Sequence, residues 1–338
     1  MISLLKKTEP EYTIKEILIN QSNDFSFFEN IYLENTKRKL LSKHGSKINI
    51  NIHKKISIII PVYNSLKTLL ITLDSLNFQK ISETEYKNIE VVIADDGSTD
   101  NTESVLKNKD YKFKLVYVRQ KNIGSGSARN LGVKKSTGEI LIFLDSDVIL
   151  QDNFIREHAI RNQILDNCCF IGFREHLSMD NLESTIKNKK PTITNDVRFK
   201  RSFSRKWKRK HRECSSDNDR EIKIIEETSF FKCFGKDKVL GAWDLPSMVQ
   251  TFSLSLRRSS FIKTEGFNLK FKGWGMEDTF FGACLIATGN FIIPVLSTGV
   301  FHIEHNVRSG STEKKQLEFD KNVKIYNQLI QQPLNKNK

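Results

Sequence analysis

The chain has 338 residues, with 54 Lys+Arg against 40 Asp+Glu and a formal net charge of +14. That length suits one large domain, or a catalytic domain with appendages, and the charge points to acidic partners such as a nucleotide, an anionic polymer or a phospholipid surface, although it serves solubility equally well. Five cysteines without a Cys-x-x-Cys pair speak against a disulfide framework or a zinc site, and no leader pattern or run of roughly 20 apolar residues suggests export or a membrane span. The expected setting is cytoplasmic, with peripheral attachment at the inner membrane face left open.

Residues 1–51 are polar with helical spacing around Ile14, Ile17 and Leu18 and around Phe27, Phe28, Ile31 and Tyr32, and read as an N-terminal helical extension. From Lys55 the texture changes to short apolar runs, Ile56–Ile60, Ile89–Ala94, Lys114–Val118 and Ile140–Leu144, separated by helix-like stretches over Leu66–Asn77, Thr99–Asn108 and Ser125–Lys135. Alternating strand and helix predicts an α/β fold on a mostly parallel sheet. Residues 188–212 form a basic insertion that interleaves arginines and lysines with Phe199, Phe203 and Trp207. It reads as a solvated helix face, a lid over an anionic ligand, or a patch for an anionic membrane through 198–212. A last helical stretch, Lys314–Gln332, precedes a polar tail expected to be disordered. The expected organisation is therefore an extension at 1–51, a catalytic domain at 52–312 (a nucleotide half at 52–150 and an acceptor half at 151–312), and a C-terminal helix and tail at 313–338.

Chemistry concentrates where the apolar runs end. Pro61-Val62-Tyr63-Asn64 should end the first strand and turn, placing a ring and an amide where a nucleoside could lie; a plain turn and helix cap explains the same residues. Asp95-Asp96-Gly97 offers two adjacent acids, one of which could accept from a base imide, with Ser98 or Asp100 as a helix cap. Gly124-Ser-Gly126-Ser-Ala-Arg129 is a glycine-rich lead into a helix, suited to phosphate, and Arg129 serves either as a donor contact or in a structural ion pair. Asp145-Ser-Asp147 leaves an apolar strand with two carboxylates, apt for a hard divalent cation shared with a phosphate, or for a helix start capped by Asp147.

In this order and spacing these pieces resemble the catalytic domain of glycosyltransferase family 2, with its GT-A (nucleotide-diphospho-sugar transferase) fold: a mixed, mostly parallel sheet flanked by helices. The resemblance implies a UDP-sugar donor with Pro61, Tyr63 and Asn64 beside the nucleoside, Asp96 at the base, Arg129 near the donor, Asp145 toward ribose or metal, and Asp147 as a ligand of Mn2+ or Mg2+. The second half, with Leu254-Ser-Leu-Arg257-Arg258, Glu265-Gly-Phe-Asn268 and Gly273-Trp274-Gly275-Met276-Glu277-Asp278, resembles the galactosyltransferase-type C-terminal half of chondroitin-polymerase-like enzymes. Asp278 then inherits the role of catalytic base, while Trp274 and Glu277 line the acceptor pocket. Glycines let backbone approach a sugar, an indole offers a pyranose a flat apolar face, and a carboxylate can take a hydroxyl proton. Related enzymes complete the cation site with a histidine near the strand that follows, here His302, with His305 as the alternative. Two departures, Thr251-Phe252-Ser253 ahead of the Leu-Ser-Leu-Arg-Arg run and Glu265 and Asn268 in place of glycine and aspartate, bear on donor-pocket shape.

The expected activity is inverting, metal-dependent sugar transfer to a glycan, lipid-linked or peptide acceptor. The rival readings are a GT-A-like nucleotidyltransferase and a non-catalytic binder of an anionic polymer; a nucleic-acid partner is not expected, because it would leave the acids unexplained.

Overall fold

The computed structural model describes residues 12–45, 48–182, 190–192, 195, 196, 198, 243–304 and 312–334. In chain order the helices are α1 (Ile14–Asn20), α2 (Ser26–Thr36), α3 (Leu66–Asn77), α4 (Glu83–Tyr86), α5 (Thr102–Lys107), α6 (Ser125–Lys135), α7 (Phe154–Ile164), α8 (Leu245–Met248), α9 (Arg258–Lys263), α10 (Glu277–Ala287) and α11 (Thr312–Leu329). The strands are β1 (Ile56–Val62), β2 (Ile89–Asp95), β3 (Lys114–Arg119), β4 (Ile140–Phe143), β5 (Val148–Leu150), β6 (Cys168–Ser178), β7 (Leu254–Arg257) and β8 (Phe291–Glu304). They form one mixed sheet in the order β3-β2-β1-β4-β7-β6-β8-β5. The first four run parallel, β7 is antiparallel to both β4 and β6, and β8 is parallel to β6 and antiparallel to β5.

Continuous apolar runs form β1, β2 and β4 because both faces of these strands are covered. Successive residues alternate between two cores: Ile58, Ile60, Val91, Ile93 and Ile142 face one that also holds Leu69 and Leu73 of α3 and Phe154 of α7, while Ile59, Val92, Leu141 and Phe143 face another holding Val133 of α6 and Phe280 to Ile286 of α10. Helix, sheet and helix therefore stack as three layers.

The described part of the N-terminal segment enters both cores. Phe25, Tyr32 and Leu40 join the first and Ile14 and Leu18 the second, and α1 is tied to the C-terminal turn by Ile14 N–H donating to the Gln332 carbonyl at 3.1 Å. Pro61 does not stop its strand, contrary to expectation: pairing with β2 continues through Val62↔Asp95. Ile59 carbonyl accepts from Leu144 on the β4 side, so strand alternation turns residue 61 the same way, and pairing with β4 has ended by Ile59↔Phe143. The missing N–H of proline breaks no bond there.

Asp147 does not cap a helix, since β5 follows it directly. Arg198, expected in the basic patch, is buried (1% exposed), ion-paired with Asp196 at 2.8 Å, and donates to the Gly172 and Met248 carbonyls. Residues 199–212, His305, Cys214, Cys233 and the tail at 335–338 lie outside the described residues. No described helix is long and apolar enough to cross a membrane.

Candidate active site

The carboxyl ends of β1, β2 and β4 bring the first set of acids and turns together. Asn64 sits at φ 48°, in the left-handed region that asparagine tolerates. Its Oδ1 accepts from Thr99 N–H at 2.7 Å and its own N–H donates to Ser98 Oγ at 3.0 Å, so it pins the β1 and β2 turns to each other. Ser98 therefore ties two loops rather than capping α5, and Asp100 accepts from both Leu66 and Thr102 N–H. Tyr63 stands 45% exposed at the same edge.

Asp95 is taken up internally, accepting from Ser98 N–H and the Tyr117 hydroxyl. Asp96 is buried and accepts from Gln120 Nε2 at 2.7 Å, Ile123 N–H at 2.9 Å and Gly124 N–H at 2.9 Å. Any base contact by Asp96 has to share its carboxylate with these three donors, which shape the glycine-rich turn into α6.

Arg129, buried on the first turns of α6, links the two halves of the chain. Its Nη2 donates to Asp145 Oδ1 at 2.9 Å and its Nη1 lies 4.0 Å from Asp278 Oδ1, with Phe267 beneath the guanidinium. Asp145 in turn belongs to a cluster with Asp147 and His302 whose ligand-type atoms all lie within 4.8 Å of one another. The Asp147 carbonyl accepts from Ile303 N–H at 2.8 Å, and His302 Nε2 is 3.5 Å from Asp147 Oδ1. Two carboxylate oxygens and one imidazole nitrogen at such separations suit a hard-to-borderline divalent cation such as Mn2+.

At the start of α10, Asp278 accepts from Thr251 N–H at 3.1 Å and from Thr251 Oγ1. Burial is the main influence raising its carboxyl above the usual range, with Asp145 adding and Arg129 and Thr251 opposing. Glu277 is pushed up to about 7, again chiefly by burial and then by Asp278, and its Oε2 meets no hydrogen-bond partner among the described residues. Burial thus raises both carboxyls of this adjacent pair, and Asp278 is the one that Thr251 supplies with hydrogen-bond donors. Trp274 is 52% exposed on the adjoining loop.

Thr251 and His176 were not among the sequence candidates. The Thr251 signal lay in the departure at 251–253. His176 follows Arg174 and Glu175 in the polar second half of β6, opposite His302 in the β6–β8 register, with ring centroids 5.4 Å apart. Burial, helped by Arg174 and His302, pulls it down to about 4, so it presents a neutral imidazole.

Sheet order and the helices on both faces define the class, a GT-A fold, and the acid and imidazole cluster and the carboxylate pair gather at one edge of it. Residues 57–220 match the family model "Glycosyl transferase family 2", and residues 240–306 match "N-terminal domain of galactosyltransferase". Over 334 residues it is 27% identical to a chondroitin synthase of Pasteurella multocida (strain Pm70), covering 93% of this chain and 30% of that protein. Two solved structures share the fold. GalNAc-T7 with UDP, GalNAc and Mn2+ has a TM-score of 0.52 at 14% identity over 83% of this chain and 50% of that one. Staphylococcus aureus TarS 1–349 with UDP has a TM-score of 0.50 at 19% identity over 82% and 64%.

Proposed function

We propose that this chain transfers a sugar, with inversion, from a UDP-sugar to an acceptor hydroxyl in polysaccharide or glycoconjugate synthesis. The observation that carries the reading is the Arg129 bridge, which sets Asp278 next to the Asp145, Asp147 and His302 cluster. Tyr63 and the turn built by Pro61 and Asn64 flank the nucleoside, and Asp96 shapes the glycine-rich turn beneath it. Asp145, Asp147 and His302 would hold Mn2+ or Mg2+, which when bound neutralises charge on the departing diphosphate. Trp274 stacks on the acceptor sugar, and Glu277 lines that pocket. Asp278 takes the proton of the acceptor hydroxyl as its oxygen bonds to the anomeric carbon and the bond to the diphosphate breaks. Glycan, lipid-linked and peptide acceptors all present the required hydroxyl.

The test is a screen of UDP-sugars and other nucleotide sugars with and without Mn2+, reading out released nucleoside diphosphate. Manganese-stimulated release of UDP is expected, with Asp147→Asn and His302→Ala removing both that stimulation and the Mn2+-dependent thermal stabilisation by UDP. Release of pyrophosphate would identify a nucleotidyltransferase instead. Salt-dependent binding of anionic polymer without any donor turnover would identify a binding protein.

A further inference from the structure

The loop that carries Trp274 is held from behind by a helix outside both matched segments. From Phe271 the chain passes through Gly273 at φ 71°, Gly275 at φ 94° and Met276 at φ 74°. The last is uphill for a residue with a Cβ, so the shape must be imposed by its surroundings. α11 imposes it. Asn322, 1% exposed, donates through Nδ2 to the carbonyls of Lys272 at 3.0 Å, Trp274 at 3.3 Å and Gly275 at 2.8 Å. One turn earlier on the same helix face, Glu318 Oε2 accepts from Trp274 N–H at 3.0 Å. The helix lies so close that a Cβ on Gly273 would come within 2.4 Å of the Glu318 carboxyl, and one on Gly275 within 2.8 Å of the Phe319 ring.

On the reading above, we propose that Asn322 and Glu318 are positioning residues for acceptor recognition, latching loop 272–276 so that the Trp274 indole stands ready as a platform for the acceptor sugar. Phe319 backs that indole with ring centroids 5.7 Å apart, and Lys315 Nζ lies 5.7 Å from its centre. The helix is anchored independently, since Tyr326 and Leu329 enter the second core. Latching and anchoring can therefore be separated by mutation. Asp278 has its own support from Thr251, so loosening the loop weakens acceptor binding before it disturbs the donor half.

The experiment uses the full chain and the near-isosteric variant Asn322→Asp, whose carboxylate cannot donate to the three carbonyls. Amide hydrogen exchange should show loop 272–276 opening on the order of tenfold more often while β1 to β4 keep their protection. With the UDP-sugar found in the donor screen, KM for p-nitrophenyl glycoside acceptors should rise on the order of tenfold. Donor KM and acceptor-free donor hydrolysis should stay at wild-type values. Glu318→Gln keeps an oxygen for the Trp274 N–H and should behave like wild type, whereas Glu318→Ala should follow Asn322→Asp. Unchanged loop exchange, an unchanged acceptor KM, or an equal loss of donor hydrolysis together with a lowered melting temperature would each overturn the latch. A wild-type chain that turns over no nucleotide sugar would instead overturn the functional reading, and loop exchange would still decide whether α11 holds the loop.

Discussion

Asp278 and Glu277 are adjacent in sequence, yet their surroundings separate them chemically. Thr251 donates to Asp278 from both its amide and its hydroxyl, whereas burial leaves Glu277 near 7. Asp278→Asn should lower turnover on the order of 10²- to 10⁴-fold with UDP affinity retained, as measured by initial rates beside calorimetric titration. Thr251→Val removes a donor to the ionised form and so raises a carboxyl that already lies high. Since only the anion can accept a proton, the acidic limb of the kcat/KM profile should move to higher pH, and a limb that stays in place would exclude Asp278 as the group being titrated.

Among the elements, α7 carries the charge network that seats the N-terminal segment. Glu157, 2% exposed, is ion-paired with Arg38 and with Arg161 at 2.7 Å, and it accepts from Ser297. Burial alone would raise its carboxyl, but the hydrogen bond from Arg38, the two guanidinium charges and Ser297 outweigh that and bring it down to about 2 from an ordinary 4.5. With the folded value depressed, the stabilisation is complete above about pH 4.5 and is lost as pH falls toward about 2. Glu157→Gln leaves two buried guanidinium groups uncompensated and should cost about 3–5 kcal/mol at neutral pH. Urea midpoints of the variant should also be less sensitive to acid over that window than those of wild type, and identical acid profiles would rule the network out as the source.

For the molecule as a whole, the question is whether residues 1–51 form a separable extension. Ile14, Leu18, Phe25, Tyr32 and Leu40 are each no more than 1% exposed. Burying a large apolar side chain is worth about 1.5–3 kcal/mol, so together they approach the roughly 5–15 kcal/mol by which a typical domain is stable. A chain beginning at residue 52 should therefore lose its cooperative thermal transition and bind a hydrophobic dye. A sharp melt near the full-length temperature would instead support the boundary expected at 51.

Local order along the chain was enough for the strand and helix alternation, for the acids at the ends of β2 and β4, and for the glycine-tryptophan-glycine approach to Asp278. Apolar runs, glycines and paired carboxylates keep their meaning over a few residues, because burial, backbone freedom and charge act locally. Asn64 joining two turns, Asp96 consumed by the next loop, Arg198 buried against Asp196, and Thr251, Arg129 and Asp278 meeting at one point were decided only by tertiary structure. Each depends on which partner arrives from a distant part of the chain, and a side chain's protonation and hydrogen bonds follow from that arrival rather than from its neighbours in sequence.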